Sequence, residues 1–188
     1  QNTIKRCEPL SLNKITIICN IEHAFLVQQQ VNDLSLTTRI SIITEPMGRD
    51  TAPAIAIASL LSDPTEINLV VPCDHVFNDD KFVEVIKEGI LSCVNSIVTF
   101  GVKPTCPDTG YGYIKTNIST KETIDFVEKP DHATALKYVE AGNYYWNAGV
   151  FLFRAQDMLT CFTSFAPDIL DKCKKTLTAS KQVAGVLH

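Results

Sequence analysis

Charged side chains stand at the ends of several apolar, strand-like runs of the 188-residue chain. Glu45 ends one run, Asp74 follows a second, and Glu128 and Lys129 follow a third. A carboxylate can bind a hard cation such as Mg²⁺ or accept hydrogen bonds from a nucleobase, and an ammonium group can neutralise a phosphate. These residue types suit a site for small phosphorylated ligands, although each motif alone also has a structural explanation.

The segment from Glu45 to Ala54 lies between a predicted strand and a predicted helix. The unpaired N–H groups at a helix N-terminus can bind phosphates. Glu45 can accept hydrogen bonds from the N–H edge of guanine, which adenine, uracil and thymine do not match. A plain loop that ends in an N-cap at Asp50 or Thr51 is the structural alternative.

Three further motifs also follow or contain predicted strands. Asp74 would emerge at the carboxyl edge of a sheet, where it could bind Mg²⁺ or merely cap a turn, and we interpret His75 as a structural histidine. Glu128 and Lys129 would contact a sugar hydroxyl and a sugar phosphate, or form an exposed ion pair of little energetic worth. Asn147, in a very apolar run, needs a hydrogen-bond partner if it is buried, either within the protein or on a sugar.

Apolar, β-branched runs alternate with helical patterns as far as Phe100, and paired strands are predicted after it. This alternation predicts a mostly parallel sheet with helices on both faces, and ligands bind at the carboxyl ends of such strands. The predicted strands are Lys14 to Cys19, Arg39 to Thr44, Asn68 to Val71, Ser96 to Phe100, Tyr111 to Lys115, Thr123 to Val127 and Tyr145 to Arg154. The predicted helices are Glu22 to Leu34, Thr51 to Leu61, Asp79 to Val94, His132 to Ala141 and a helical region from Gln156 onward.

Composition argues against several kinds of partner. The net charge is −4 and no basic block occurs, so we expect no nucleic acid partner. No apolar run approaches the length of a transmembrane helix, so we expect no membrane partner. The seven cysteines include no C-x-x-C pair, which fits neither a disulfide framework nor a zinc site. We interpret Cys19 and Cys73 as buried, reduced thiols and expect a cytoplasmic protein.

Taken together and in order, these motifs resemble those of the sugar-nucleotide pyrophosphorylases, specifically the bacterial-type mannose-1-phosphate guanylyltransferases. The family pattern runs E-P-x-x-R-N-T-A-P-A, P-A-D-H, F-G-I-x-P-T-x-P-E-T-G-Y-G-Y-I, F-x-E-K-P and W-N-S-G-M-F-x-F. The corresponding segments here are Glu45 to Ala54, Pro72 to His75, Phe100 to Ile114, Phe126 to Pro130 and Trp146 to Phe153. The match extends from about Ile17 to Leu170, most of the chain.

The resemblance implies an incomplete nucleotidyltransferase domain over residues 1–188, with a three-layer α/β/α fold around a mainly parallel, mixed sheet. The implied enzyme makes GDP-mannose and pyrophosphate from GTP and mannose 1-phosphate, with Mg²⁺ as cofactor. Asp74 and Lys129 are the implied catalytic residues, and Asp74 is the implied metal ligand. The implied nucleotide-binding residues are Glu45, Arg49, Asp50, Thr51 and Ala52. The residues implied around mannose 1-phosphate are Gly110, Tyr111, Gly112, Glu128, Lys129 and Asn147.

Three departures from the family pattern bear on function. The family's Asn is Asp50 here, and a carboxylate cannot donate the hydrogen bond of an amide. The family's opening glycine-rich loop, G-x-G-x-R-L-W-P-x-S-R, is not found before Lys14, and its second metal-binding Asp is not found after the Trp146 strand. We therefore expect the 188-residue chain to turn over negligibly by itself.

Two other functions stay open at this point. Another sugar-1-phosphate nucleotidyltransferase, which uses UTP, dTTP or ATP, would carry related motifs. A non-catalytic remnant could bind a sugar nucleotide without turning it over. The residues also leave open a homo-oligomer, or a complementing chain that supplies the glycine-rich loop.

Overall fold

A computed structural model describes residues 1–34, 36–77, 79–180, 182–183 and 186–187 of the chain. The backbone falls into two compact units. The first contains Gln1–Ile97 and Leu152–His188, and the second contains Val98–Phe151. The interpretation of residues 1–188 as one incomplete domain stays a prediction.

The described residues form α-helices and strands that alternate over much of the chain. The helices are α1 (Asn2–Cys7), α2 (Ala24–Asn32), α3 (Thr51–Leu60), α4 (Asp79–Ser92), α5 (His132–Ala141), α6 (Ala155–Phe165) and α7 (Pro167–Ala179). The strands are β1 (Lys14–Asn20), β2 (Arg39–Glu45), β3 (Ile67–Val70), β4 (Val98–Val102), β5 (Tyr113–Thr116), β6 (Thr123–Val127), β7 (Tyr144–Arg154), β8 (Gln182–Val183) and β9 (Val186–Leu187). Short 3₁₀ turns occur at Glu8–Leu10 and Ile21–His23.

The first unit is built on the parallel strands β1 and β2, both rich in isoleucine, which favours extended backbone. Their register pairs Asn20 with Glu45 at the carboxyl ends. β9 lies parallel to β2, and β8 is antiparallel to β9, so the strand order is β1–β2–β9–β8. The Asn20 side chain accepts a 2.9 Å hydrogen bond from the N–H of Glu22 and caps the 3₁₀ turn that leads to α2.

Helices α3, α6 and α7 pack against one another in the first unit. α3 is rich in alanine, and Ala56 is fully buried, because small side chains let neighbouring helices approach closely. Ser59 is also buried, and its hydroxyl donates a 2.8 Å hydrogen bond to the carbonyl of Ile55. Cys173 of α7 lies 3.8 Å from the carbonyl oxygen of Pro53. This packing places α7 beside the first turn of α3.

The second unit is formed mainly by β4, β5, β6, most of β7 and α5. β5 pairs antiparallel with β6 and with β7, and β4 pairs with β7. The Tyr113 ring is fully buried 5.5 Å from that of Tyr138, which stacks on Tyr144 at 3.9 Å. Asp131 caps α5 by accepting a 3.0 Å hydrogen bond from the N–H of Thr134. The strand order of this sheet is β3–β7–β5–β6. β3 and the last three residues of β7 belong to the first unit.

The predicted α/β class, with a parallel sheet and helices, is confirmed. Two local predictions need correction. Asp50 is the N-cap residue of α3, but its side chain makes no capping hydrogen bond, because its φ of 61° and ψ of −167° are not the extended values usual at that position. Cys73 is exposed rather than buried, because it lies beyond the end of β3. None of the helices in the described ranges is both long enough and apolar enough to cross a membrane.

Candidate active site

Glu45 is the last residue of β2, and it lines a cavity of about 390 Å³ in the first unit. Apolar side chains from the sheet and from both neighbouring helices form much of the wall, among them Ile43, Ile57 and Leu177. Burial raises the pKa of the Glu45 carboxyl above its ordinary value of 4.5. A partly desolvated carboxylate between apolar walls is a strong acceptor for the N–H groups of a flat ligand.

Helix α7 supplies part of this cavity, which the sequence did not predict. Cys173 and Thr176 line it together with Glu45 and Arg49. Burial, and to a lesser degree the charge of Glu45, raises the pKa of the Cys173 thiol, which keeps it neutral at pH 7. Nothing in the sequence of an amphipathic helix could have identified this contribution, because it depends on how α7 packs against α3.

Asp50, Thr51 and Ala52 form the start of α3, directly after the loop that carries Arg49. Asp50 has a φ of 61°, a value that costs a non-glycine residue of order 1–3 kcal/mol. The Asp50 side chain makes no capping hydrogen bond to the first-turn N–H groups of α3. Such groups, at the positive end of a helix, attract phosphate.

Asp74 lies beyond the end of β3, with a side chain that is 81% exposed. One carboxylate oxygen is 4.0 Å from Nε2 of His75. Asp74 lines a separate cavity of about 640 Å³, together with residues of α1 and α2. The structure therefore does not bring Asp74 into the cavity that holds Glu45, although both residues belong to the first unit.

The described residues contain no cluster of three or more histidine, cysteine or acidic side chains that could hold a metal ion. Mg²⁺ does not need such a cluster, because it commonly binds one or two protein carboxylates together with substrate phosphates and water. The exposed carboxylate of Asp74 fits that type of coordination.

Gly112 brings three predicted sugar-phosphate residues together in the second unit. A Cβ atom at Gly112 would lie 2.8 Å from Oε2 of Glu128 and 2.8 Å from Cζ of Phe126. The N–H of Asn147 donates a 2.8 Å hydrogen bond to the carbonyl of Gly112. Only glycine allows the Glu128 carboxylate to approach the backbone this closely.

Glu128 and Lys129 form an ion pair of 3.6 Å, with side chains that are 61% and 62% exposed. An exposed pair contributes little to stability, so both charges remain accessible to a ligand. Lys129 has a φ of 42° immediately before Pro130, another strained backbone position. Two predicted site residues, Asp50 and Lys129, thus occupy unfavourable backbone conformations, and such strain concentrates at functional sites.

The side chain of Asn147 is oriented by two donors. Its Oδ1 accepts hydrogen bonds from the N–H of Gly149 at 3.1 Å and from the hydroxyl of Thr99 at 3.5 Å. Because the oxygen is engaged within the protein, the NH₂ group is the part of the amide that would meet a ligand. Thr99 was not predicted, since a threonine within a strand gives no sequence signal of such a role.

Tyr111 and Gly110 lie at the turn before β5. The Tyr111 ring is 5.0 Å from that of Trp146. The N–H of Gly110 donates a 2.7 Å hydrogen bond to Oδ1 of Asp108. Asp108 was also missed, although an aspartate two residues before a glycine is typical of an Asx turn and could have been noticed.

The full length of the chain, residues 1–188, matches the family model described as nucleotidyl transferase. This chain belongs to the nucleotidyl transferase family. The membership confirms the resemblance that the five ordered motifs indicated.

The curated proteins that are similar in sequence are much longer than this chain. The xanthan biosynthesis protein XanB of Xanthomonas campestris pathovar campestris is 42% identical over 193 residues, which cover 98% of this chain and 41% of that protein. The mannose-1-phosphate guanylyltransferase of Salmonella muenchen is 42% identical over 94% of this chain and 40% of its own length. That of Escherichia coli K12 is 41% identical over 95% and 40%. The chain thus spans about two-fifths of the length of these curated relatives.

Two solved structures have closely similar folds, and each is 29% identical in sequence. A Helicobacter pylori protein described as mannose-6-phosphate isomerase superposes with a TM-score of 0.91, over 97% of this chain and 71% of that one. A Thermus thermophilus protein described as mannose-1-phosphate geranyltransferase superposes with a TM-score of 0.82, over 96% and 54%. These structures agree with the nucleotidyl transferase assignment of the fold.

Proposed function

We propose that this chain carries the binding residues of a nucleotidyltransferase that forms GDP-mannose and pyrophosphate from GTP and mannose 1-phosphate. The names of the relatives from Salmonella muenchen and Escherichia coli support this substrate pair. The observation in the structure that carries the proposal is the partly buried carboxylate of Glu45 in a largely apolar cavity. Guanine offers two adjacent N–H donors to such an acceptor, and the other common bases do not.

The GTP-binding residues follow β2 along the chain. Glu45 accepts hydrogen bonds from guanine, and the apolar wall contacts the faces of the base. Arg49, Thr51 and Ala52 follow in the loop and in the first turn of α3. The guanidinium group of Arg49 and the N–H groups of that turn neutralise negative charge on the nucleotide. The strained Asp50 fixes the direction in which α3 begins.

Asp74 would hold Mg²⁺ together with the phosphates of the substrate. When bound, the ion would supply charge neutralisation to the phosphate groups. The exposed position of Asp74 beyond the end of β3 leaves room for phosphate oxygens and water in the remaining coordination positions.

Mannose 1-phosphate is bound by the residues around Gly112. Glu128 accepts hydrogen bonds from sugar hydroxyls, and the NH₂ group of Asn147 donates to the sugar. The ammonium group of Lys129 neutralises the sugar phosphate as a mobile point charge. Tyr111, supported by Trp146, gives the sugar an aromatic surface.

The reaction that these residues support needs no covalent enzyme intermediate. An oxygen of the sugar phosphate forms a bond to the α-phosphorus of GTP, while the bond from that phosphorus to the β-phosphate breaks and pyrophosphate leaves. Catalysis then consists of positioning the two substrates and neutralising their charge. A cytoplasmic location and a homo-oligomeric or complemented assembly belong to the same proposal.

The test is a product assay with the purified 188-residue chain, Mg²⁺ and mannose 1-phosphate, with GTP, ATP, UTP or dTTP supplied separately. GDP-mannose that accumulates with GTP alone, even slowly, supports the proposal. A product made more readily from another nucleotide indicates a different sugar-1-phosphate nucleotidyltransferase. Tight binding of GDP-mannose without product, even when a chain that carries the glycine-rich loop is added, indicates a non-catalytic binding protein.

A further inference from the structure

The loop that carries Asp74 has no regular structure. β3 ends at Val70 and α4 begins at Asp79. Among the described residues of this loop, 72–77, no backbone N–H and carbonyl are hydrogen-bonded to each other. Neither a sheet ladder nor a turn fixes the backbone at Asp74, so contacts from other elements must hold its carboxylate in place.

Helix α1 holds this loop on both sides of Asp74. The hydroxyl of Thr3 donates a 3.0 Å hydrogen bond to the carbonyl of Cys73. The guanidinium group of Arg6 donates a 3.3 Å hydrogen bond to the carbonyl of His75. Residues three apart lie on the same face of a helix, so α1 directs both donors at the loop. The backbone is therefore held immediately before and immediately after Asp74, while the side chain of Asp74 stays 81% exposed.

The side chain of Arg6 is itself held firmly. It is 8% exposed, and its Cζ lies 5.4 Å from the centroid of the Phe77 ring and 5.8 Å from that of the Phe82 ring in α4. Phe82 is buried, and the two rings are 5.5 Å apart. A buried guanidinium group beside two aromatic rings has little freedom to move, so it presents its donor to the loop from a fixed position.

The position of these two side chains suits control of a metal ligand. Thr3, Arg6 and Asp74 line the same cavity of about 640 Å³. Mg²⁺ tolerates little departure from octahedral geometry, so the orientation of a carboxylate decides how well that carboxylate can hold the ion. A helix with a purely structural role needs only to pack against its neighbours. Helix α1 instead directs two polar side chains at the two carbonyls that flank Asp74.

We propose that Thr3 and Arg6 are positioning residues for Asp74. By holding the carbonyls of Cys73 and His75, they keep the carboxylate between them in the orientation in which it can bind Mg²⁺. This inference rests on the proposed function in one respect, which is the assignment of Mg²⁺ to Asp74.

A pair of variants at Thr3 tests the proposal on the isotopically labelled 188-residue chain. Thr3→Val has nearly the same shape but no hydroxyl, whereas Thr3→Ser keeps the hydroxyl. The probe is Mn²⁺ alone, and its paramagnetic broadening of the NMR signals of residues 73–76 gives its dissociation constant at this loop. We expect Thr3→Val to raise this constant about tenfold, as loss of a group that orients a metal ligand does, and Thr3→Ser to leave it within about twofold.

A second measurement is made without metal and reports the positioning itself. The NMR order parameter of the Asp74 amide should be lower in Thr3→Val than in the natural chain or in Thr3→Ser. Arg6→Met removes the other donor and keeps an unbranched stem beside Phe77, so it should show the same two effects. The two Thr3 variants decide the outcome if loss of the buried guanidinium group prevents folding.

Thr163→Val is the matched control, because the Thr163 hydroxyl donates only within α6, to the carbonyl of Leu159, and its loss should change neither measurement. An unchanged Mn²⁺ constant or an unchanged order parameter in Thr3→Val would overturn the positioning role. Equal effects of Thr3→Ser and Thr3→Val would also overturn it. Broadening that persists in Asp74→Asn would instead overturn the metal assignment of Asp74, and the positioning role with it.

Discussion

Replacing Gly112 with alanine should weaken sugar-phosphate binding in the second unit with little loss of folding stability. The added Cβ would stand 2.8 Å from both Oε2 of Glu128 and Cζ of Phe126. Ordinary contacts are about 3.5–4.0 Å, so both groups must move by roughly 0.7 Å or more. The Glu128 side chain is 61% exposed and can swing into water, which keeps the folding cost near the low end of the ~1–3 kcal/mol range for overpacking.

The same movement removes the Glu128 carboxylate from the position in which it would meet the sugar. Loss of one charge-assisted hydrogen bond costs about 1.5–3 kcal/mol, which is roughly a 10- to 150-fold rise in the dissociation constant for mannose 1-phosphate. An NMR titration of the labelled chain measures weak dissociation constants directly, and a denaturant series gives the free energy of unfolding. Affinity for GTP should not change.

Gly142→Ala is the matched control for this variant. Gly142 has a φ of 74° at the end of α5 and open space around its Cβ position, so alanine brings backbone strain without a new contact. It should cost about 1 kcal/mol of stability and leave sugar-phosphate affinity unchanged. Unchanged binding of mannose 1-phosphate by Gly112→Ala, or equal weakening of binding by both variants, would contradict the role given to Glu128.

Three further predictions concern single side chains. Asp74→Asn keeps the shape of the side chain but removes the charge that holds Mg²⁺, so the Mg²⁺-dependent part of GTP binding should disappear. Calorimetry with and without the ion measures this part, and an unchanged Mg²⁺ effect would place the metal elsewhere. Burial raises the pKa of the Glu45 carboxyl, and guanine is bound by the ionised form of that carboxyl. The preference for GTP over ATP should therefore weaken as pH falls through the raised pKa. A Glu45→Gln chain that kept the same pH dependence would contradict this. The hydrogen bonds from Thr134 hold the pKa of Asp131 below its ordinary value, so the stability that this cap contributes is present at neutral pH and lost as pH falls through the lowered pKa. Asp131→Ala should therefore be less stable than the natural chain at pH 7 but not at strongly acidic pH, whereas Asp131→Asn, which still caps, should lack only the pH-dependent contribution of this cap in chemical unfolding.

Much of the fold could be predicted because its signals are local. The isoleucine-rich runs of β1 and β2, the cap at Asn20 and the helical pattern of α5 each lie within a few neighbouring residues. The site residues were predicted in another way, because the order of five motifs along the chain resembles the pattern of a known family.

The parts that the sequence did not predict depend on tertiary packing. The wall that α7 forms beside Glu45, and the Thr99 hydroxyl beside Asn147, join residues far apart in the chain. The positive φ of Asp50 also escaped prediction, because aspartate ordinarily caps a helix from extended backbone. Separation of β1 and β3 into two sheets is likewise a property of strand order, which the alternation of strands and helices does not fix.

Competition between nucleotides tests the central claim most directly. GTP, ATP and UTP would compete, each with Mg²⁺, for the natural chain and for Glu45→Gln, with displacement of a fluorescent guanine nucleotide as the readout. We expect GTP to displace the probe at concentrations at least about tenfold lower than ATP or UTP, since a hydrogen bond to a charged group is worth about 1.5–3 kcal/mol. Glu45→Gln should lose this preference. Equal displacement by the three nucleotides, or a preference for GTP that survives in Glu45→Gln, would contradict the role proposed for Glu45.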